Sequence, residues 1–261
     1  MDSNDPKLHI AMFPWLAFGY MIPYLELAKL IAQKGHQIFF ISTPRNIERL
    51  PQLPPNLSSL ITFVKLPLPR VDDDFPEAAE ATTDVPQNKV MKLKNAYDAL
   101  QQPLTHFLES SNPDWLLFDF AAYWAPTTAR NLGIPCAFFS IFIGACLVFL
   151  GPTSPEISPD DRKNQEDYTV PPKWVPFPSN VAFRLFEVGK VYIDSITGDE
   201  SNVSDVYRNM EGMRGCDIIA IRGCIQWLYR KPKASVVYVA FGSEAMPSQE
   251  EITRIALGLQ H

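Results

Sequence analysis

Residues 8–43 read LHIAMFPWLAFGYMIPYLELAKLIAQKGHQIFFIST, and the order of apolar runs within them decides the fold. Leu8 to Phe13 is a short apolar run suited to a buried strand, and Pro14 to Tyr20 reads as a turn. Met21 to Lys34 then carries Ile22, Leu25, Ala28 and Ile31 on one stripe, the pattern of an amphipathic helix. Gly35 closes that helix, and Ile38 to Ser42 is a second buried strand. Strand, helix, strand is the opening unit of a doubly wound α/β domain. In such domains ligands bind beyond the carboxyl ends of the strands, so the turn holding Gly19 and Tyr20 is the first place to expect a site.

The alternation continues outward. Leu60 to Leu66 reads as a third strand, Pro67 to Pro86 as a polar, proline-containing loop, and Asn88 to Ser110 as a helix with Pro103 as a kink or break. Trp115 to Phe118 is a fourth strand that ends on Asp119. Tyr123 to Leu132 is a helix closed by Gly133, and Cys136 to Ile141 is a fifth strand. Gly151 to Ser179 holds seven prolines and reads as a long surface loop. Phe183 to Val206 has mixed helical character, and Asp217 to Ile221 is a sixth strand. The expected class is therefore α/β, a Rossmann-like parallel sheet covered on both faces. Residues 1–223 make the first domain and 224–234 a short join. Residues 235–261 read as one further strand, Val236 to Phe241, and a helix from Ser248 to Leu259 capped by Ser248 and Glu251.

Composition narrows the function. Of 261 residues, 46% are hydrophobic and 20% charged, as in ordinary globular proteins. A net charge of −6 without a basic cluster argues against nucleic acid as a partner. The cysteines Cys136, Cys146, Cys216 and Cys224 lack the spacing of a zinc or redox motif and read as reduced core thiols. The amino terminus has no secretory pattern, and no apolar run is long enough to span a bilayer. A cytoplasmic protein is expected. There is no GxGxxG, GxxxxGK[ST] or GxSxG. Asp72, Asp73 and Asp74 could suggest a metal site but lie in a polar loop and read as a solvated acidic run, so no metal is expected.

The segment FPWLAFGYMIPYLELAKLIAQKGHQIFFIST and the motif Asp114-Trp115-Leu116-Leu117-Phe118-Asp119-Phe120 resemble plant UDP-sugar-dependent glycosyltransferases. The likeness is closest to the branch-forming group, which extends sugars already attached to small molecules. The resemblance implies the amino-terminal, acceptor-binding domain of a two-domain GT-B architecture, with the second, UDP-sugar-binding domain truncated. It implies inverting transfer of a hexose from a UDP-sugar, used as co-substrate rather than cofactor, to a hydroxyl of a flavonoid or terpenoid glycoside. In that family a histidine follows the glycine of the first turn and takes the proton of the acceptor hydroxyl, while a buried aspartate steadies the histidine. Asp119 matches the aspartate. Tyr20 stands where the histidine belongs.

By the same resemblance Gly19 lies near the donor diphosphate and Ser243, in Phe241-Gly242-Ser243, reaches the donor phosphates. The family's long donor-binding segment has no match in this chain.

Each candidate also has a plainer reading. Asp119 is a good cap for the following helix, and Gly19 suits any tight turn. Tyr123, Trp124, Phe142 and Phe149 lie near strand ends and are either the acceptor wall or core. A phenol titrates near ~10 and is a donor rather than a base at neutral pH. The expected role of Tyr20 is thus to fill the space and donate its hydroxyl to Asp119. Asp119 as a direct base is disfavoured by the ordinary carboxylate pKa near ~4. Two readings follow: a sugar-transferring enzyme by descent, or a non-catalytic, acceptor-binding relative.

Overall fold

Among the described residues of the computed structural model, six parallel strands form one sheet in the order β3-β2-β1-β4-β5-β6. The structure describes residues 6–70, 73–151, 162, 164–175, 177–189 and 203–221. The strands are β1 (His9–Phe13), β2 (Gln37–Ser42), β3 (Ile61–Lys65), β4 (Trp115–Phe118), β5 (Cys136–Ser140) and β6 (Ile218–Ile221). The helices are α1 (Phe18–Ala32), α2 (Pro44–Arg49), α3 (Val90–Asp98), α4 (Gln101–Ser111), α5 (Ala125–Leu132), α6 (Gly144–Leu150) and α7 (Asp205–Gly215). This strand order reverses direction between β1 and β4, and that reversal opens the crevice where doubly wound folds bind ligands.

Strand alternation sorts the core into two layers. Ala11, Phe13, Leu116, Phe118 and Phe138 face α3, α4 and α5, where Leu93, Tyr97, Leu104 and Ala129 pack. Ile10, Met12, Ile38, Phe40, Leu117 and Phe139 face α1 through Met21, Tyr24, Leu25 and Ala28. Aspartates pin two strand starts to their neighbours. The Asp114 carboxylate accepts from the His9 N–H at 2.7 Å, and Asp217 accepts from the Cys136 N–H at 2.8 Å.

The structure shifts several expected boundaries. Helix α1 begins at Phe18, because the Ala17 carbonyl already accepts from the Tyr20 and Met21 N–H groups, each at 2.9 Å. Gly19 and Tyr20 therefore occupy the first turn of a helix rather than the loop before it. The helix expected over 88–110 is two, α3 and α4, and the break falls at Ala99 and Leu100. Pro103 does not cause it, because proline is tolerated in the first turn of a helix, where it sits in α4. A 3-10 turn, Phe120–Ala122, comes between Asp119 and α5, so Tyr123 precedes α5 instead of opening it. Helix α7 extends past the expected end at Val206 to Gly215, started by Ser204, whose hydroxyl accepts from the Tyr207 N–H at 3.0 Å. The expected join, the strand Val236 to Phe241 and the helix from Ser248 lie outside the described residues.

Candidate functional site

The register Phe13 to Phe118 ends β1 and β4 level with each other. Their carboxyl ends then release two segments side by side: Pro14–Ala17 leading into α1, and Asp119 leading into the 3-10 turn. Asp119 Oδ2 accepts from the Trp15 N–H at 2.7 Å, and Oδ1 accepts from the Ala121 N–H at 3.1 Å. The carboxylate thus caps its own turn and ties it to the β1–α1 connection. The cap reading and the site reading of Asp119 describe one geometry.

Asp119 is 1% exposed. Burial raises its pKa to about 7, although the hydrogen bonds from Trp15 and Ala121 pull the other way. The expectation of an ordinary carboxylate pKa is corrected. An acid titrating near neutrality is well matched to proton transfer in principle. Both its oxygens, however, are already held by backbone N–H groups.

Tyr20 packs its ring on Phe120, centroids 5.3 Å apart, and edge-on to Phe142 at 6.1 Å. Its phenol pKa is raised well above the ordinary value, first by burial and then by the charges of Asp119 and Asp205. It stays a neutral donor throughout the physiological range. Among the described residues no hydrogen bond joins its hydroxyl to Asp119, contrary to the sequence-based expectation. Trp15 and Ala121 are the donors that Asp119 holds instead, one on each oxygen.

The aromatic candidates separate. Phe142 is 40% exposed and borders Tyr20. Trp124 is turned into the core, 6.0 Å from the Phe13 ring, with its indole N–H donating to Asp98 at 3.1 Å. Tyr123 lies against α7, edge-on to Tyr207 at 5.9 Å and under the Arg208 guanidinium at 4.8 Å. Phe149 belongs to a satellite cluster with Tyr168 and Val188, covered by Arg162 at 4.3 Å. Gly19 has no left-handed backbone; among the described residues the positive-φ glycines are Gly35, Gly133 and Gly151. Ser243 lies outside the described residues.

Sequence reasoning missed two groups of residues around this site. One is the segment after β3, read as a plain polar loop. It straps the β1–α1 connection, with the Thr82 N–H donating to the Leu16 carbonyl at 3.0 Å. Helix α2 fastens the strap. Asn46 donates to the Glu80 carbonyl at 2.6 Å, the Arg45 guanidinium donates to the Ala78 carbonyl, and Arg49 pairs with Asp84 at 2.8 and 2.9 Å. Asp74 of the acidic run is taken up by Lys89 and Lys92. The other group is Asp98 and Arg208, described below. The spacing of Lys94 and Asp98, and of Asp205 and Arg208, puts each pair on one helix face. It does not say which helices meet.

Among the described residues no group of three His, Cys, Asp or Glu side chains could hold a metal ion. No described helix is long and apolar enough to cross a membrane.

The chain is 48% identical to UDP-glycosyltransferase 91A1 of Arabidopsis thaliana, over 99% of its own length and 64% of that protein. It is 39% identical to UDP-glycosyltransferase 91D2 of Stevia rebaudiana, over 99% of itself and 62% of that protein. The chain belongs with the plant UDP-glycosyltransferases. The soyasaponin III rhamnosyltransferase of Glycine max is 34% identical over 99% of the chain and 63% of that protein. The chain thus spans a little under two thirds of the length of these relatives. The alignment with the 91A1 protein runs over 305 positions against 261 residues here, so at least 44 of its positions face no residue of this chain. No protein-family model matches. Among solved structures, Arabidopsis thaliana UGT89C1 complexed with quercetin superposes with a TM-score of 0.50 at 23% identity, covering 62% of this chain and 40% of that one. That likeness shows the fold, the Rossmann-like amino-terminal domain of a GT-B glycosyltransferase.

Proposed function

We infer that this chain is a UDP-glycosyltransferase relative that holds a small-molecule acceptor without deprotonating it at a useful rate. The single observation that carries this reading is the pair Tyr20 and Asp119. A phenol stands at the base position, and each oxygen of the carboxylate that would steady a base already accepts from a backbone N–H group. A positioned general base is worth about 10²–10⁴-fold in rate, and a neutral phenol supplies none of it. The acceptor class is a flavonoid or terpenoid glycoside, the sugar donor a UDP-hexose, and the compartment the cytoplasm. Tyr20, Phe120 and Phe142 offer the aromatic wall for a flat aglycone.

Titration calorimetry with a flavonoid glycoside, beside an assay of UDP release from UDP-glucose, tests this reading. Acceptor binding without UDP release above background is expected. Tyr20→His alone is expected to leave UDP release at background. Release by the unaltered chain at a rate typical of enzymes, on the order of 1 s⁻¹ or more, would overturn it.

A further inference from the structure

Helix α7 lies about ninety positions beyond Asp119 in sequence, yet it touches the residues on both sides of it. Gly212 approaches so closely that a Cβ there would sit 3.0 Å from the Phe138 ring and 3.3 Å from the ring of Phe118, the residue before Asp119. Arg208 crosses over the turn that follows. Its Nη1 donates to the Ala121 carbonyl at 3.0 Å, and its two Nη groups grip the Asp98 carboxylate at 2.8 and 2.6 Å. Asp98 also accepts from the Trp124 indole, and the Arg208 guanidinium lies over the Tyr123 ring. The Ala121 N–H, on the other side of the same residue, is the group that holds Asp119 Oδ1.

Arg208 is 0% exposed, and burying a guanidinium is costly unless it is paired and hydrogen-bonded. Burial works against its charge, but the Asp98 carboxylate outweighs that, and its pKa stays above the ordinary value. The same two helices are joined a turn away by Lys94 and Asp205 at 2.5 Å. That second pair holds α7 on α3. Arg208 is placed to do something more than hold two helices together.

We propose that Arg208, held by Asp98, is a positioning residue that fixes the Phe120–Ala122 turn and through it the aim of the Asp119 carboxylate. The inference rests on the reading of this turn as the acceptor-side site. Its consequence is that the carboxylate and the Phe120 ring beneath Tyr20 are set by a bidentate ion pair from outside the sequence motif that contains them. Lysine at position 208 would keep the charge but lose the second Nη contact to Asp98, and its ammonium ends one bond short of the Nη1 that bonds both Asp98 and Ala121. The titratable groups around Asp119 are Tyr20 and Tyr24 from α1 and Tyr97 from α3, all neutral phenols, with Asp98, Asp205 and Arg208 behind the turn.

The test compares Arg208→Lys, Asp98→Asn and Lys94→Met in the full chain without ligand. Two readouts are followed, amide hydrogen exchange at Ala121 and the carbon-13 titration of the Asp119 carboxyl. For Arg208→Lys, Ala121 exchange is expected to quicken by at least ~10-fold as the turn opens locally. Water reaching the carboxyl would bring its titration midpoint down by about one pH unit or more. Asp98→Asn keeps an acceptor for Trp124 and loosens the grip on Arg208, so it should give a smaller change in the same direction. Lys94→Met should lower the melting temperature and move both readouts less than Arg208→Lys does.

The proposal is overturned if Arg208→Lys leaves both readouts at parent values, or if Lys94→Met moves them as much. Should Arg208→Lys fail to fold, Asp98→Asn decides alone, and parent values there overturn it. Neither readout needs a ligand. A chain that binds no glycoside would therefore remove the proposed function while leaving this result to stand or fall by itself.

Discussion

A phenol for an imidazole at position 20 changes what the site can do with a proton, and its neighbours make that change firm. The Tyr20 hydroxyl has no hydrogen bond to Asp119 among the described residues, so Tyr20→Phe should alter stability by no more than ~0.5 kcal/mol. A loss of about 1.5–3 kcal/mol, the range for a hydrogen bond to a charged group, would show that the hydroxyl does reach the carboxylate. Denaturant unfolding measures this. Asp119 carries a second prediction. Its folded pKa of about 7 lies above the unfolded value near ~3.9, so the folded state binds the extra proton between those limits. Its contribution is fully present below the unfolded value and is lost as pH rises through the folded one. Asp84 works in the opposite sense. Burial alone would raise its pKa, but Arg49 and the N–H groups of Glu80 and Ala81 outweigh that and lower it. The comparison must therefore be parent against Asp119→Asn. From pH 4 to pH 7.5 the parent should lose roughly 2–4 kcal/mol more than the variant. Parallel curves would mean that Asp119 ionises freely in the folded chain.

At the scale of elements, α7 shows how sequence and packing part company. Its charged and polar residues gave no apolar stripe strong enough to mark its full extent. It docks instead through small residues and ion pairs. Gly215 is the sharpest case, since a Cβ there would lie 2.5 Å from the Cβ of Pro126 and 3.9 Å from its backbone. A proline ring fixed at the start of α5 cannot swing aside as a flexible side chain would. Gly215→Ala is therefore expected to destabilise by about 1–3 kcal/mol through overpacking. The helix-propensity gain of alanine is small at the last residue of a helix and does not offset it. Calorimetric melting should show a drop of roughly 2–9 °C at this chain length. An unchanged or higher melting temperature would mean that α7 is not seated against α5 as described. The α2 strap makes the same point from the other direction. Arg45, Asn46 and Arg49 look like an exposed helix face in sequence, yet they bind the backbone of a loop whose own residues carry no periodic signal.

For the molecule as a whole, the parallel sheet was legible because buried strands in such sheets are continuous apolar runs, and the first βαβ unit carries two of them in 36 residues. Tyr20 and Asp119 were legible as neighbours because each follows a strand that meets the switch point. The N–H bonds that Asp119 accepts from Trp15 and Ala121 were not, since backbone N–H groups leave no mark in a sequence. The same limit applies at the far edge of the sheet. The run Ile218-Ile219-Ala220-Ile221 reads as a buried strand, but Ile218, Ile219 and Ile221 are 49%, 43% and 46% exposed. Among the described residues β6 pairs only with β5, and an outer edge left unpaired is a site for pairing with another chain. An apolar strand with one free edge is a template for association, and a charge on it is the usual protection. Ile219 pairs in register with Phe138, and a lysine there can extend from the half-exposed face into water. Ile219→Lys is thus expected to keep the fold and to reduce self-association at tens of micromolar and above, by about tenfold in apparent dissociation constant if edge pairing contributes roughly 1.4 kcal/mol. Sedimentation velocity across a concentration series reads this directly. Equal association of parent and variant would mean that the β6 edge is already covered, and the search for the contact would move to the exposed pair Phe142 and Ile143 beside the site.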